Sequence, residues 1–303
     1  MPKSERVGHF RAYEQRKFKG DDQKLLIQAD SILQEYESQG FAITLRSLHY
    51  QFVSRDLYEN TAQNYNKLGD LMSAGRRAGL ISWTAIEDME RPLRGPTTFD
   101  EPVDAIKSAR EEFKTDLWCN QQWRPEVWIE KNALIGVIEP VCKELRVNYL
   151  SCKGYGSDSA LWEAGQRFAS CVQKGQRPII FHLGDHDPSG VDMTRDIYDR
   201  VTMFTGIPVQ VVRIALNMDQ VRKYDPPENY VKLGDSRTEK YKARFGTDNC
   251  WELDALSPTV IADLIRVAVS EVCDETHWDL ALQEEARHLE TIDTWIEQFE
   301  LGI

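Results

Sequence analysis

Three carboxylates stand where two strand ends can deliver them to one place. Glu130 closes the apolar run EVWIE, and Asp185 and Asp187 follow PIIFHLG in the loop GDHDPSG. In an extended strand-to-loop segment residues i and i+2 point the same way, so Asp185 and Asp187 can share one cation while His186 faces elsewhere. Gly184 and Gly190 bracket the loop and Pro188 stiffens it. Carboxylate oxygens are hard donors, and a trio of them suits magnesium, with manganese as a substitute; such an ion keeps several waters that phosphate oxygens can displace. The chemistry expected is metal-assisted work on the phosphodiester backbone of a nucleic acid. Either aspartate alone would more simply cap the following helix. The pairing with Glu130 on a matching strand end favours the metal.

Such a site needs a sheet that brings strand ends to one edge. Strand-like EVWIE, helix NALIGVIEPVCKEL, strand VNYLSC, helix SDSALWEAGQRFASCVQKG, strand PIIFHLG, helix SGVDMTRDIYDRVTMF and strand VQVVRIAL alternate. This rhythm predicts an α/β fold, a parallel sheet flanked by crossover helices, in which ligands sit outside the carboxyl ends of the strands. Beyond about residue 216 come a turn-rich stretch, KYDPPENYVKLGDSRTEK, and two helices near 258–272 and 278–298.

Upstream, DDQKLLIQADSILQEYESQG has apolar residues at helical spacing and stops at Gly40. A short strand, Phe41 to Ile43, follows, and Thr44 is placed to cap LRSLHYQFVSR. YNKLGDLMSAGRRAGL predicts a third helix and LISWTAI a strand. Three helices closing on a small hairpin is the order of a winged-helix domain, which meets DNA through its third helix, here carrying Arg76 and Arg77; small helical modules also serve as protein–protein adaptors. The expected boundaries are a basic leader at 1–20, the winged-helix domain at 21–95, a linker with one helix at 96–122, and the sheet domain with its C-terminal helical extension at 123–303.

A net charge of −12 opposes a nucleic-acid partner taken alone. The first 20 residues are basic, however, and the tail LQEEARHLETIDTWIEQFELGI is acidic, so the average hides an asymmetry. The six cysteines are scattered with no CxxC pair, which suggests neither a zinc site nor a disulfide framework. No apolar run approaches the roughly 20 residues that span a bilayer, and the N-terminus is charged where a signal peptide is apolar, so a cytoplasmic protein without a membrane partner is expected.

WIEK and GDHDPSG in this strand order resemble the Toprim domain of topoisomerases, primases and some nucleases, and GDHDPSG is similar to the version in the A subunit of topoisomerase VI and its meiotic break-forming relatives. The resemblance implies that Glu130, Asp185 and Asp187 hold magnesium, with Lys131 and Lys153 facing the same cleft to meet a phosphate. That family keeps a nucleophilic tyrosine in an R-x-x-x-Y helix, and LRSLHY supplies Arg46 and Tyr50 on one helix face. Attack by Tyr50 on a phosphate bound by Arg46, giving a 5′-phosphotyrosyl link, is therefore implied. So is a homodimer in which one chain's tyrosine faces the other's metal. On the helix alone Tyr50 reads more simply as packing beside Leu45, Leu48 and Phe52, with Tyr58 and Tyr65 as competitors, and it is the resemblance that raises it as a nucleophile. The stretch from Val212 through WELDAL extends the likeness to compact, stand-alone homologues of that A subunit from phages and mobile elements. With no GxxxxGK[ST] loop, cleavage of double-stranded DNA is expected rather than strand passage, which would need a separate ATPase partner. A Toprim nuclease using metal-activated water and a non-catalytic DNA-binding protein are the alternatives. Charges at Asp235–Arg237, Glu252 and Asp254 either extend the cleft or belong to turns and caps.

Overall fold

The computed structural model describes residues 10–41, 43–86, 96–230 and 237–301. Three helices come first: α1 (Asp21–Ser38), α2 (Leu45–Ser54) and α3 (Ala62–Arg77). The face of α1 formed by Leu25, Leu26, Ala29, Ile32, Leu33 and Tyr36 is buried, as its helical spacing requires. Its end is closed by Gly40 at φ 81, which lets Phe41 N–H reach back to the Tyr36 carbonyl. Thr44 caps α2 by accepting from Ser47 N–H, and Thr61 caps α3 by accepting from Asn64 N–H.

The expected hairpin differs. Ile43 and Ile86 meet in a single parallel bridge, and Phe41–Ile43 and 80–86 form no longer strand among the described residues. Two short segments that run in the same direction cannot be joined by a tight turn, so among the described residues the bridge closes the three helices without a hairpin. Residues 87–95, the end of the expected domain, lie outside the described residues.

The expected linker holds one helix, α4 (Pro102–Glu112), and then dives inward: Leu117 and Trp118 are buried, and Trp118 Nε1 donates to the Leu145 carbonyl at 2.9 Å. The α/β part follows as β1 (Trp123–Ile129), α5 (Ile135–Glu144), β2 (Asn148–Ser151), α6 (Asp158–Gln173), β3 (Arg177–Leu183), α7 (Pro188–Thr205) and β4 (Gln210–Ala215). The sheet is parallel throughout with strand order β2-β1-β3-β4. Alternating strand residues feed two cores: Val127, Ile129, Ile179 and Phe181 pack towards α5, whereas Trp128 and Ile180 pack towards α6 and α7. The remaining elements are α8 (Met218–Tyr224), a two-stranded antiparallel ribbon β5 (Asn229–Tyr230) and β6 (Asn249–Cys250), α9 (Thr238–Phe245), α10 (Pro258–Ser270) and α11 (Glu275–Leu301). None of the helices, among the described residues, is long and apolar enough to cross a membrane.

Strand order places the site. From β1 the chain runs outward to β2 and then returns past β1 to β3, so the crossovers diverge above the β1/β3 gap, where open α/β sheets bind ligands. Ile129 pairs with Leu183, which sets Glu130 level with the start of the GDHDPSG loop.

Candidate functional site

Glu130 is fastened to that gap at both ends. Its N–H donates to the Leu183 carbonyl at 2.8 Å, and its Oε2 accepts from Asp185 N–H at 2.9 Å. The last glycine of the loop is required by closeness rather than by turn geometry. A Cβ on Gly190 would stand 2.3 Å from the Asp185 carbonyl oxygen and 3.0 Å from Glu130 Oε2. Beneath the loop the guanidinium of Arg213, from β4, donates to the carbonyls of Gly184, Asp185 and Gly190 at 2.6–2.8 Å, and burial pushes its pKa down to about 10.

Asp187 is the N-cap of α7, its Oδ1 accepting from Gly190 N–H at 2.6 Å. Asp185 is buried, and its Oδ1 accepts from Leu253 N–H at 2.8 Å and lies 3.0 Å from Lys131 Nζ. His186 does face away: it is buried, with Nδ1 at 2.6 Å from Tyr241 Oη.

Lys131 stands among the acids, 2.7 Å from both Glu252 Oε2 and Asp254 Oδ1. Glu252 also receives Arg46 at 2.6 and 2.8 Å, while Arg46 Nη2 is 3.5 Å from Tyr50 Oη. A continuous polar path thus runs from Tyr50 through Arg46, Glu252 and Lys131 to Asp185 within one chain, where the resemblance implies assembly across two. The path separates two cavities that share Arg46 and Glu252. One, of about 440 Å³, is lined by Glu130, Lys131, Lys153, Asp185 and Asp254; the other, of about 260 Å³, by His49, Tyr50, Asn60, Tyr65 and Asn229.

The electrostatics follow from burial and crowding. Burial pushes Asp185 up to about 7, Glu130 and Asp254 adding to it and Lys131 opposing. Burial also raises Glu130 and Asp254. Glu252 goes the other way: burial would raise it, but Lys131 and Arg46 hold it down at about 2. The Tyr50 phenol is raised by burial and by Glu252 and Asp254, so it stays protonated at neutral pH.

The site residues read from sequence are thus partly gathered. Glu130, Lys131, Lys153 and Asp185 line one cavity and Arg46 joins it to Tyr50. Arg76 and Arg77 line neither. Arg76 donates to the Ile86 carbonyl at 2.7 Å and lies over the Trp83 ring, and Arg77 pairs with Glu14 at 2.9 Å. Tyr58 is half-buried and packs at a tilt against the Phe52 ring, centroids 5.5 Å apart. Glu252 and Asp254, ambiguous in sequence, belong to the cleft; Asp235 and Ser236 lie outside the described residues. Arg213 belongs to no motif of the sequence, although an arginine inside the apolar strand QVVRIA is itself a signal that something needs a buried cation.

Among the described residues, no three His, Cys, Asp or Glu side chains converge closely enough to hold a metal ion. The donor chemistry nevertheless suits a hard cation. The hydrogen bonds that Glu130, Asp185 and Asp187 accept all fall on one oxygen of each carboxylate, leaving the other oxygen of each unused among the described residues. Compared with known protein families, curated proteins and solved structures, the chain matches none.

Proposed function

We propose that this chain is a DNA-cleaving transesterase of the topoisomerase VI A type, a winged-helix module at 21–95 working with a Toprim module at 123–303. The observation that carries the reading is the ion-paired path that joins the Tyr50 helix to the carboxyl edge of the sheet. Tyr50 Oη would attack phosphorus in a DNA strand, forming a 5′-phosphotyrosyl bond and releasing a 3′-hydroxyl. Arg46 and Lys131 are the cations an incoming phosphate meets, and the phosphate competes with Glu252 and Asp254 for them. Lys153 lines the same cavity and adds a third positive group.

Magnesium, or manganese in its place, would supply Lewis-acid stabilisation of charge on the phosphate. Glu130, Asp185 and Asp187 would hold it only after Lys131 withdraws from Asp185 and the three carboxylates draw closer together than they stand. The reading carries with it double-stranded DNA as substrate, a homodimer and, for any strand passage, a separate ATPase partner. Arg76 and Arg77 become DNA contacts only if they exchange their internal partners for phosphates.

The test uses supercoiled DNA with magnesium or manganese, electrophoresed with and without prior protease digestion. Wild type is expected to leave DNA ends that carry protein; Tyr50→Phe should bind DNA but form no adduct, and Asp185→Asn should not cleave. Cleavage that survives Tyr50→Phe but not Asp185→Asn would instead identify a nuclease using activated water. Binding without cleavage under either metal would identify a DNA-binding protein.

A further inference from the structure

Beside the acidic loop, α7 and α9 enclose a cleft of about 200 Å³ whose rim carries Arg195, Arg237, Lys240 and Arg244 against a single acid, Asp192. Its floor is apolar, formed by Pro188, Val191, Tyr241 and Phe245. In a chain of net charge −12 this is a local reversal of sign.

The cations differ in how they are engaged. Arg195 is bound to Asp192 and Asp199, and Arg237 contacts Tyr155 and lies 3.9 Å from Asp192. Lys242, on the other side of α9, pairs with Asp248 at 2.6 Å. Lys240 and Arg244 are exposed, four residues apart on one helix face, and no carboxylate among the described residues lies within ion-pair distance of either.

The patch is fixed to the acidic loop. Tyr241 holds His186 at 2.6 Å, the Phe245 and His186 ring centroids are 4.6 Å apart, and Pro188 of the cleft floor directly follows Asp187. A polyanion lying on α9 is therefore registered against the carboxylates. We infer that Lys240 and Arg244, on the rim of the α7/α9 cleft, form a second phosphate contact for duplex DNA, with deoxyribose packing on the partly exposed Val191 and Phe245. The inference rests on the reading of the neighbouring site as one that acts on DNA. Charge complementarity selects the occupant: phosphate neutralises cations that no carboxylate among the described residues pairs with, and the apolar floor suits a sugar face.

The experiment measures affinity for a short DNA duplex across a salt series, for wild type and for the variant carrying Lys240→Ala with Arg244→Ala. Loss of two phosphate contacts should make the slope of log K against log salt shallower by about two and weaken binding by roughly tenfold per contact at about 0.1 M salt. The variant with Lys114→Ala and Lys174→Ala, both exposed residues away from this cleft, should match wild type. DNA should also protect Lys240 from acetylation in wild type more than it protects Lys174. Parallel series use an RNA duplex and heparin. An α9 variant that binds duplex DNA with wild-type affinity and slope, or whose loss is confined to RNA or heparin, overturns the patch alone. A wild-type protein that fails to bind duplex DNA overturns the patch and the functional reading together.

Discussion

Lys131 occupies the place in the cleft where positive charge is needed most. Burial would lower its pKa, but Asp185, Asp254 and Glu252 outweigh that and hold it firmly protonated. Replacing it by methionine keeps the bulk and strands three carboxylates, two of them buried, without their shared cation. Lys131→Met is expected to cost about 3–5 kcal/mol in urea denaturation, and magnesium should restore more stability to the variant than it adds to wild type. Unchanged stability, or no extra response to metal, would show that Lys131 is not standing in for a cation. At this scale the sequence exposes the residues that end strands, because a strand end next to a DxD loop has a definite geometry. It does not expose what they pair with: Glu252 reaches Lys131 across 121 positions and Arg46 across 206, and no local pattern encodes such distances. The loop glycine was legible by type, but its reason, contact with the Asp185 carbonyl, exists only in the folded chain.

Long elements were legible and short ones were not. Periodicity over a dozen or more residues marks α1, α3, α6, α7, α10 and α11, whereas α8, α9 and the β5/β6 ribbon, in and around the turn-rich stretch at 223–240, are too short for a period to declare itself. What periodicity leaves out is attachment, and α11 illustrates it. Glu285, on this helix, accepts from Thr115 N–H at 2.7 Å, from Thr115 Oγ1 at 3.0 Å and from Arg146 at 2.8 Å. Arg110 of α4 grips Asp293 with two bonds of 2.8 and 2.9 Å. Burial would raise the Glu285 pKa, but the Thr115 and Arg146 contacts prevail and hold it below its ordinary 4.5. A carboxylate depressed on folding contributes stability that is complete above its ordinary pKa and lost as pH falls through the folded value. Wild type should therefore lose part of its stability only below about pH 4.5, and Glu285→Gln should be less stable by about 2 kcal/mol at neutral pH, with the difference shrinking towards pH 3. Denaturation midpoints at several pH values would check this; a difference that does not change with pH would remove the ionised carboxylate from the account.

On the scale of the molecule, sequence suggests two units joined by a linker, and the structure joins them more closely. One buried cluster runs without interruption from Leu26, Ile32 and Phe52 of the helical part to Val127, Ile138, Leu253 and Ile265 of the sheet part. Above this shared core lies the Arg46–Glu252 pair, so the contact that lets Tyr50 approach the cleft also ties the two parts together. If the parts form one cooperative unit, tryptophan fluorescence and far-ultraviolet circular dichroism should report a single coincident denaturant transition. Arg46→Ala and Glu252→Ala should each destabilise it, and their effects should fall short of additive by about 1 kcal/mol, a modest coupling because Arg46 remains half exposed. Two separated transitions with additive effects would mean that the helices move independently of the sheet. Tyr50 and the carboxylates would then meet only when DNA or a second chain brings them together, and the dimeric assembly implied by the resemblance would become the better account of the site.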